Sequence, residues 1–204
     1  MMKLYYLPGA CPLASHIALE WTGKPYETQA VGRDEMKQAP FLALNPLGAV
    51  PVLVDGDLVL TQSAAILEYV AELNPEAKLL PDTPRGRAEV RRWLGLVNAD
   101  IHRTFANVFA AGYFAGDNEE FQRKLIETST AKLMQLFGVA DKQLEGKDWI
   151  AGTRSVADPY LYTVLRWAKA KNVDLGAMKS LQAFYARMEA DSGVQAALKA
   201  QGLS

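Results

Sequence analysis

The chain has 204 residues, 50% of them hydrophobic in type and 22% charged, with a formal net charge of −1. That composition supports a well-packed core in one large or two small domains. It lacks the basic block that nucleic acid or an anionic membrane would attract, so neither is an expected partner. No apolar run nears the ~20 residues of a membrane span. Met1-Met2-Lys3-Leu4 passes straight into strand-like sequence, so no signal peptide is expected. A single cysteine excludes an intrachain disulfide, and the expected setting is reducing and cytoplasmic.

Lys3 to Leu7 reads as a first strand, broken by Pro8-Gly9. Cys11-Pro12-Leu13 opens a helix through Ile17, Ala18 and Trp21, which Gly23 ends. Tyr26 to Val31 is a second strand. Arg33 to Ala39 is polar and reads as loop, with room for a short helix before Pro40. Val52 to Val54 and Leu58 to Leu60 are two short strands around the turn Asp55-Gly56-Asp57. Thr61 then caps a helix with Ile66, Tyr69, Val70 and Leu73 on one face. The order over residues 3–73 is that of an α/β unit with a mixed sheet.

From Arg85 the pattern changes. Val90, Trp93, Leu94, Val97, Ile101, Phe105 and Phe109 recur at helical spacing in one long amphipathic helix. Another helix runs from about Glu119 to Leu144. Ser155-Val156-Ala157-Asp158 has capping-box form and introduces a helix from Tyr160 to Lys171. Met178 to Met188 and Val194 to Leu198 are two more. The prolines of residues 75–84 mark the boundary, giving a domain of residues 1–76, a linker of 77–85 and an all-α domain of 86–204.

Pro51 stands at the mouth of the third strand. Proline donates nothing to a ladder and belongs at a strand's first residue or edge. There it leaves the N–H and C=O of Val50 free to pair with something other than protein. The following helix starts beside Gln62 and Ser63, where unpaired N–H groups suit a carboxylate. A free strand edge beside a helix N-terminus describes a receptor for a short acidic peptide.

The motifs Asn45-Pro46-Leu47-Gly48-Ala49-Val50-Pro51-Val52-Leu53, Thr61-Gln62-Ser63-Ala64-Ala65-Ile66 and Ser155-Val156-Ala157-Asp158, in this order, resemble the glutathione transferases. Tyr5-Tyr6-Leu7-Pro8-Gly9-Ala10-Cys11, Ser15-His16-Ile17 and Leu161 to Trp167 look like the bacterial beta class. The similarity covers essentially the whole chain. It implies a thioredoxin-like α/β N-terminal domain, an all-α C-terminal domain and a homodimer. It also implies a cis bond before Pro51, with the backbone of Val50 pairing with the cysteinyl unit of glutathione. Gln62 and Ser63 would hold the γ-glutamyl carboxylate, and Arg33 or Lys37 would meet the glycyl one.

Cys11 sits between a strand end and a helix start, where N–H groups and the helix dipole stabilise a thiolate. It is read as a functional thiol beside the ligand sulfur rather than as a small buried hydrophobe. The resemblance places His102 facing that sulfur, where an imidazole hydrogen-bonds a thiolate or takes its proton. His16 is read as structural, as are Tyr5 and Tyr6, whose side chains alternate to opposite faces. With two histidines and one cysteine, no zinc-site spacing exists. Asn98 and Asp100 either lend polar groups to glutathione across a two-fold interface or are solvated, and Arg103 either offers charge to the ligand or is solvated. Trp93, Phe105, Phe109, Tyr113 and Trp167 are read as core, with Phe105, Phe109 and Trp167 also able to wall an apolar substrate pocket.

Three residues depart from the family pattern. Pro12 replaces the usual serine after the cysteine, Gly95 stands where an interface asparagine is expected, and Ala49 stands where glutamine is common. The activity implied is transfer of the glutathione thiol to hydrophobic electrophiles. Its rivals are a glutathione-dependent thiol–disulfide oxidoreductase with Cys11 as nucleophile, and a non-catalytic carrier of apolar ligands.

Overall fold

The computed structural model describes residues 1–203. Its strands are β1 (Lys3–Tyr6), β2 (Glu27–Ala30), β3 (Val52–Asp55) and β4 (Leu58–Thr61), in the spatial order β2-β1-β3-β4. β1 pairs parallel with β2 and antiparallel with β3, and β3 pairs antiparallel with β4. The parallel pair needs a crossover, which helix α1 (Pro12–Thr22) supplies, and Gly23 ends α1 in the left-handed conformation at φ 67°. Alternation along β1 buries Leu4 and Tyr6 on the side of the main core. Tyr5 turns to the opposite face, its ring against Phe41 in a small cluster with Val31, Met36 and Val52.

Between β2 and β3 come a 3-10 turn, Glu35–Lys37, and the one-turn helix α2 (Ala39–Leu42). Helix α3 (Ser63–Leu73) follows β4. The second half is helical: α4 (Pro84–Gly95), a π-helical turn over Leu96–Ile101, α5 (His102–Phe109), α6 (Ala111–Ala115), α7 (Glu119–Leu144), α8 (Ala157–Ala170), α9 (Lys179–Ala190) and α10 (Ser192–Ala200). No helix among the described residues is long and apolar enough to cross a membrane.

Several expectations are corrected. Thr61 belongs to β4, and Gln62 occupies the cap of α3 at φ 72° without a side-chain capping bond. The buried face of α3 carries Ser63, Ile66, Leu67, Val70 and Ala71, while Leu73, its last residue, is 45% exposed. Tyr113 is 87% exposed and Phe109 48%. Phe109 is the last residue of α5 and Tyr113 lies in the short helix α6, so both turn a large part of their rings to solvent. The long helix expected from Arg85 is interrupted by the π turn, in which the N–H of His102 reaches back to the Val97 carbonyl. One extra residue in a turn changes which side chains share a face. The change falls between Asn98 and His102.

The two halves meet along α1, which packs on α8 and α10. Trp167 Nε1–H donates to the Gly9 carbonyl at 2.8 Å, and the Tyr6 hydroxyl to the Ala200 carbonyl at 3.3 Å. Residues 77–85 are not a loose tether, because Leu79 is fully buried and its carbonyl accepts from Val156 N–H.

Candidate active site

Cys11 ends the loop after β1, and Pro12 takes the first position of α1, where a missing N–H is no loss. The next two N–H groups are spent, Leu13 on the Ala10 carbonyl and Ala14 on that of Cys11. The helix start thus has few donors left for a thiolate. The thiol is also buried, and burial pushes its pKa up to about 11, with the Ser63 hydroxyl and its own N–H pulling weakly the other way. Against the expected stabilised thiolate, desolvation here outweighs the dipole and favours the neutral thiol. It donates to the Val50 carbonyl at 3.6 Å.

Val50 is presented by a tightly folded loop. Asn45 Nδ2–H donates to the Ala49 carbonyl at 2.6 Å, and its Oδ1 accepts from Leu47 N–H at 3.1 Å. Gly48 has φ 58°, and a Cβ there would stand 3.0 Å from the Met36 carbonyl oxygen, so both conformation and space favour glycine. The Val50–Pro51 peptide bond is cis. Among the described residues the Val50 N–H has no backbone partner. Gln62 and Ser63 bring the start of α3 to the same crevice.

From the helical half come Asn98, His102 and Tyr160. Nδ1 of His102 lies 2.6 Å from the Tyr160 hydroxyl, which donates to Asn98 Oδ1 at 3.1 Å. Burial, and secondarily the Arg103 charge, hold the His102 pKa below its ordinary value and favour the neutral ring. Trp167 sets its ring edge against His102 at 4.9 Å between centroids. Larger hollows lie elsewhere, one of about 400 Å³ beside Lys169 and Tyr185 and one of about 450 Å³ beside Trp21 and Arg154. Neither holds a thiol or an imidazole, so chemistry and not size marks the site.

Residues 1–72 match the family model "Glutathione S-transferase, N-terminal domain", and residues 104–191 match "Glutathione S-transferase, C-terminal domain". The chain belongs to the glutathione S-transferase family. It is 46% identical to Glutathione S-transferase GST-4.5 of Xanthomonas campestris, with both chains covered in full. The glutathione-S-transferase structure from Xylella fastidiosa superposes with a TM-score of 0.96 at 44% identity, again covering both chains in full. The bacterial beta class glutathione S-transferase of Sphingomonas chungbukensis superposes at 0.86 with 35% identity, over 99% of this chain and 100% of that one. The thioredoxin-like N-terminal half, the helical C-terminal half and the enzymatic class of glutathione transferase follow from that membership.

Of the residues read from the sequence, this crevice gathers Cys11, Val50, Pro51, Gln62, Ser63, Asn98 and His102. Arg33, Lys37, Asp100 and Arg103 are exposed and do not line it. Lys37 pairs with Asp34 at 3.6 Å, whereas Arg33 makes no ion pair among the described residues. Phe105, Phe109 and Trp167 form one aromatic cluster, with the Phe105 and Phe109 rings stacked at 5.6 Å and Trp167 edge-on to both. His16 is buried against Tyr6 and Tyr26 and bonded to Gln201, the structural role expected. Asn45, Leu47 and Tyr160 also line the crevice and escaped the sequence reading. Asn45 was legible as an asparagine turn. Tyr160 was not, because no local spacing connects it to His102.

Proposed function

We propose that this transferase binds glutathione in the crevice at Val50 and joins its sulfur to hydrophobic electrophiles. The observation that carries this reading is convergence: an open peptide edge, a helix start and a neutral imidazole share one crevice. The peptide's cysteinyl unit pairs with Val50, its N–H replacing the weak thiol donor of Cys11 on the Val50 carbonyl. The γ-glutamyl carboxylate sits at Gln62 and Ser63. Arg33, without an acidic partner, is favoured over Lys37 for the glycyl end. The apolar co-substrate lies against Phe105, Phe109 and Trp167.

The same reading divides the chain into residues 1–76, a linker of 77–85 and residues 86–204. It takes the protein to be a cytoplasmic homodimer working in detoxification. Asp100 and Arg103, exposed on the long helical array, are then free to meet a second copy, and sedimentation should give twice the chain mass of 22.4 kDa.

The neutral state of Cys11 favours conjugation over disulfide exchange, which needs a protein thiolate. Calorimetry with glutathione, followed by turnover of 1-chloro-2,4-dinitrobenzene, tests the proposal. Uptake of the tripeptide and conjugation that largely survives Cys11→Ala are expected. Conjugation lost with Cys11 would turn the reading to the oxidoreductase. Tight binding of apolar dyes without any turnover would turn it to the carrier.

A further inference from the structure

Against His102, on the helical wall of the crevice, lies a short hydrogen-bonded chain. Tyr160 is fully buried, and its hydroxyl stands between His102 Nδ1 at 2.6 Å and Asn98 Oδ1 at 3.1 Å. A phenol has one proton to donate. If that proton goes to Asn98, it is not available to the imidazole. Nδ1 must then carry a proton of its own and donate it to the phenol oxygen. A neutral imidazole has a single N–H, so Nε2 is left with a lone pair.

We propose that Tyr160 and Asn98 are positioning residues that hold His102 in the Nδ1–H tautomer, leaving Nε2 to accept the proton of the glutathione thiol. The acceptor role rests on the reading that glutathione occupies the crevice. The S–H bond breaks with its electron pair kept by sulfur, and the proton passes to Nε2. The sulfur pair forms the C–S bond, a leaving group such as chloride departs with its own pair, and the imidazolium returns its proton to water. The amide of Asn98 sets the direction of the chain. Turned about, with Nδ2 toward Tyr160, it would release the phenol proton to Nδ1. The Nε2–H that results could hydrogen-bond a thiolate but could not deprotonate a thiol.

The chain's other histidine is an internal reference held the opposite way. Gly9 N–H donates to Gln201 Oε1 at 3.0 Å, which orients that amide so that Nε2–H donates to His16 Nδ1 at 3.1 Å. The proton of His16 therefore sits on Nε2.

Long-range proton–nitrogen NMR of the ligand-free, histidine-labelled protein reads both tautomers directly. His102 is expected as Nδ1–H and His16 as Nε2–H. An Nε2–H tautomer for His102 in the unmutated protein would overturn the proposal. Asn98→Leu frees the phenol proton and should flip His102 to Nε2–H while the His16 signal stays unchanged. Its kcat with 1-chloro-2,4-dinitrobenzene should fall about tenfold or more, and a change confined to the KM for glutathione would trace to a binding contact of Asn98 and overturn the positioning role. Asn98→Asp keeps an acceptor and should restore the tautomer and most of kcat. Tyr160→Phe, which keeps the buried ring, should lower kcat as Asn98→Leu does. Retention of both the tautomer and kcat in Asn98→Leu or Tyr160→Phe would reduce the pair to packing. If calorimetry finds no glutathione uptake by the unmutated protein, the acceptor role falls with the functional reading. The spectrum then judges the tautomer by itself.

Discussion

Gln62 holds φ 72° and ψ 117°, a backbone conformation that a side chain with a Cβ rarely adopts. Such strain costs on the order of 1–3 kcal/mol and persists where the surrounding structure imposes it. Gln62→Gly removes the Cβ penalty and should raise the unfolding free energy by about 1 kcal/mol, net of the extra entropy of glycine. The same change removes the side chain from the crevice and should weaken glutathione about tenfold. Urea titration and calorimetry together check this, and a destabilised glycine variant would show that the side chain holds the turn. Cys11 gives a second residue-scale expectation. With its pKa pushed up to about 11, alkylation by iodoacetamide should be slow at neutral pH and rise about tenfold per pH unit through pH 9. A rate that levels off near neutrality would mean that the thiolate is stabilised after all. The helix start was legible at Cys11, but the state of the thiol was not. Its protonation depends on burial by chain distant in sequence and on the Leu13 and Ala14 N–H groups already spent on the carbonyls of Ala10 and Cys11.

Element by element, local signals carried most of the reading. The expected helix of Glu119–Leu144 is the one observed, because its cap Asn118 and its apolar spacing agree. The π turn at Leu96–Ile101 had no such signal: the residues suit an ordinary helix, and the contact of Tyr160 with Asn98 and His102 is tertiary. The start of α8 was legible in kind but not in weight. Asp158 accepts from Ser155 N–H, as a capping box requires, and also from Ser155 Oγ–H and from Ile150 N–H eight residues back. It is fully buried, and burial raises its pKa from 3.8 to about 7. Asp158→Ala orphans buried donors and should cost about 3–5 kcal/mol in urea unfolding, well above the ~1 kcal/mol of a simple cap. The sign of the pH dependence follows from the raised value. The folded state binds the Asp158 proton more tightly than the unfolded state. Its contribution is therefore fully present below pH 3.8 and is lost as pH rises toward about 7. The difference in stability between the unmutated protein and Asp158→Asn, which has no such titration, should narrow or reverse across that window as pH rises. A difference independent of pH would show that Asp158 is ionised throughout.

At the scale of the whole molecule, the α/β half and the helical half were each readable from periodicity, but their union was not. The contacts that join them have no spacing signature: Trp167 on Gly9, Tyr6 on Ala200, and Gln201 on both Gly9 and His16. Their consequence is mechanical. Gly9 lies two residues before Cys11, so the loop that sets one wall of the crevice is held by α8 and by the residues following α10. Gln201 is 5% exposed and satisfies two buried groups at once. Gln201→Ala leaves the Gly9 N–H and His16 Nδ1 without partners, and each such loss costs about 1–3 kcal/mol. If the halves share one cooperative unit, this change near the C-terminus should lower the midpoint of a single transition, seen alike by tryptophan fluorescence and far-ultraviolet circular dichroism. Loosening of the Gly9 loop should also raise the alkylation rate of Cys11 at fixed pH, because opening exposes the thiol to water. Two separated transitions, or an unchanged thiol rate beside a lowered midpoint, would mean that the C-terminal segment stabilises the helical half without governing the crevice.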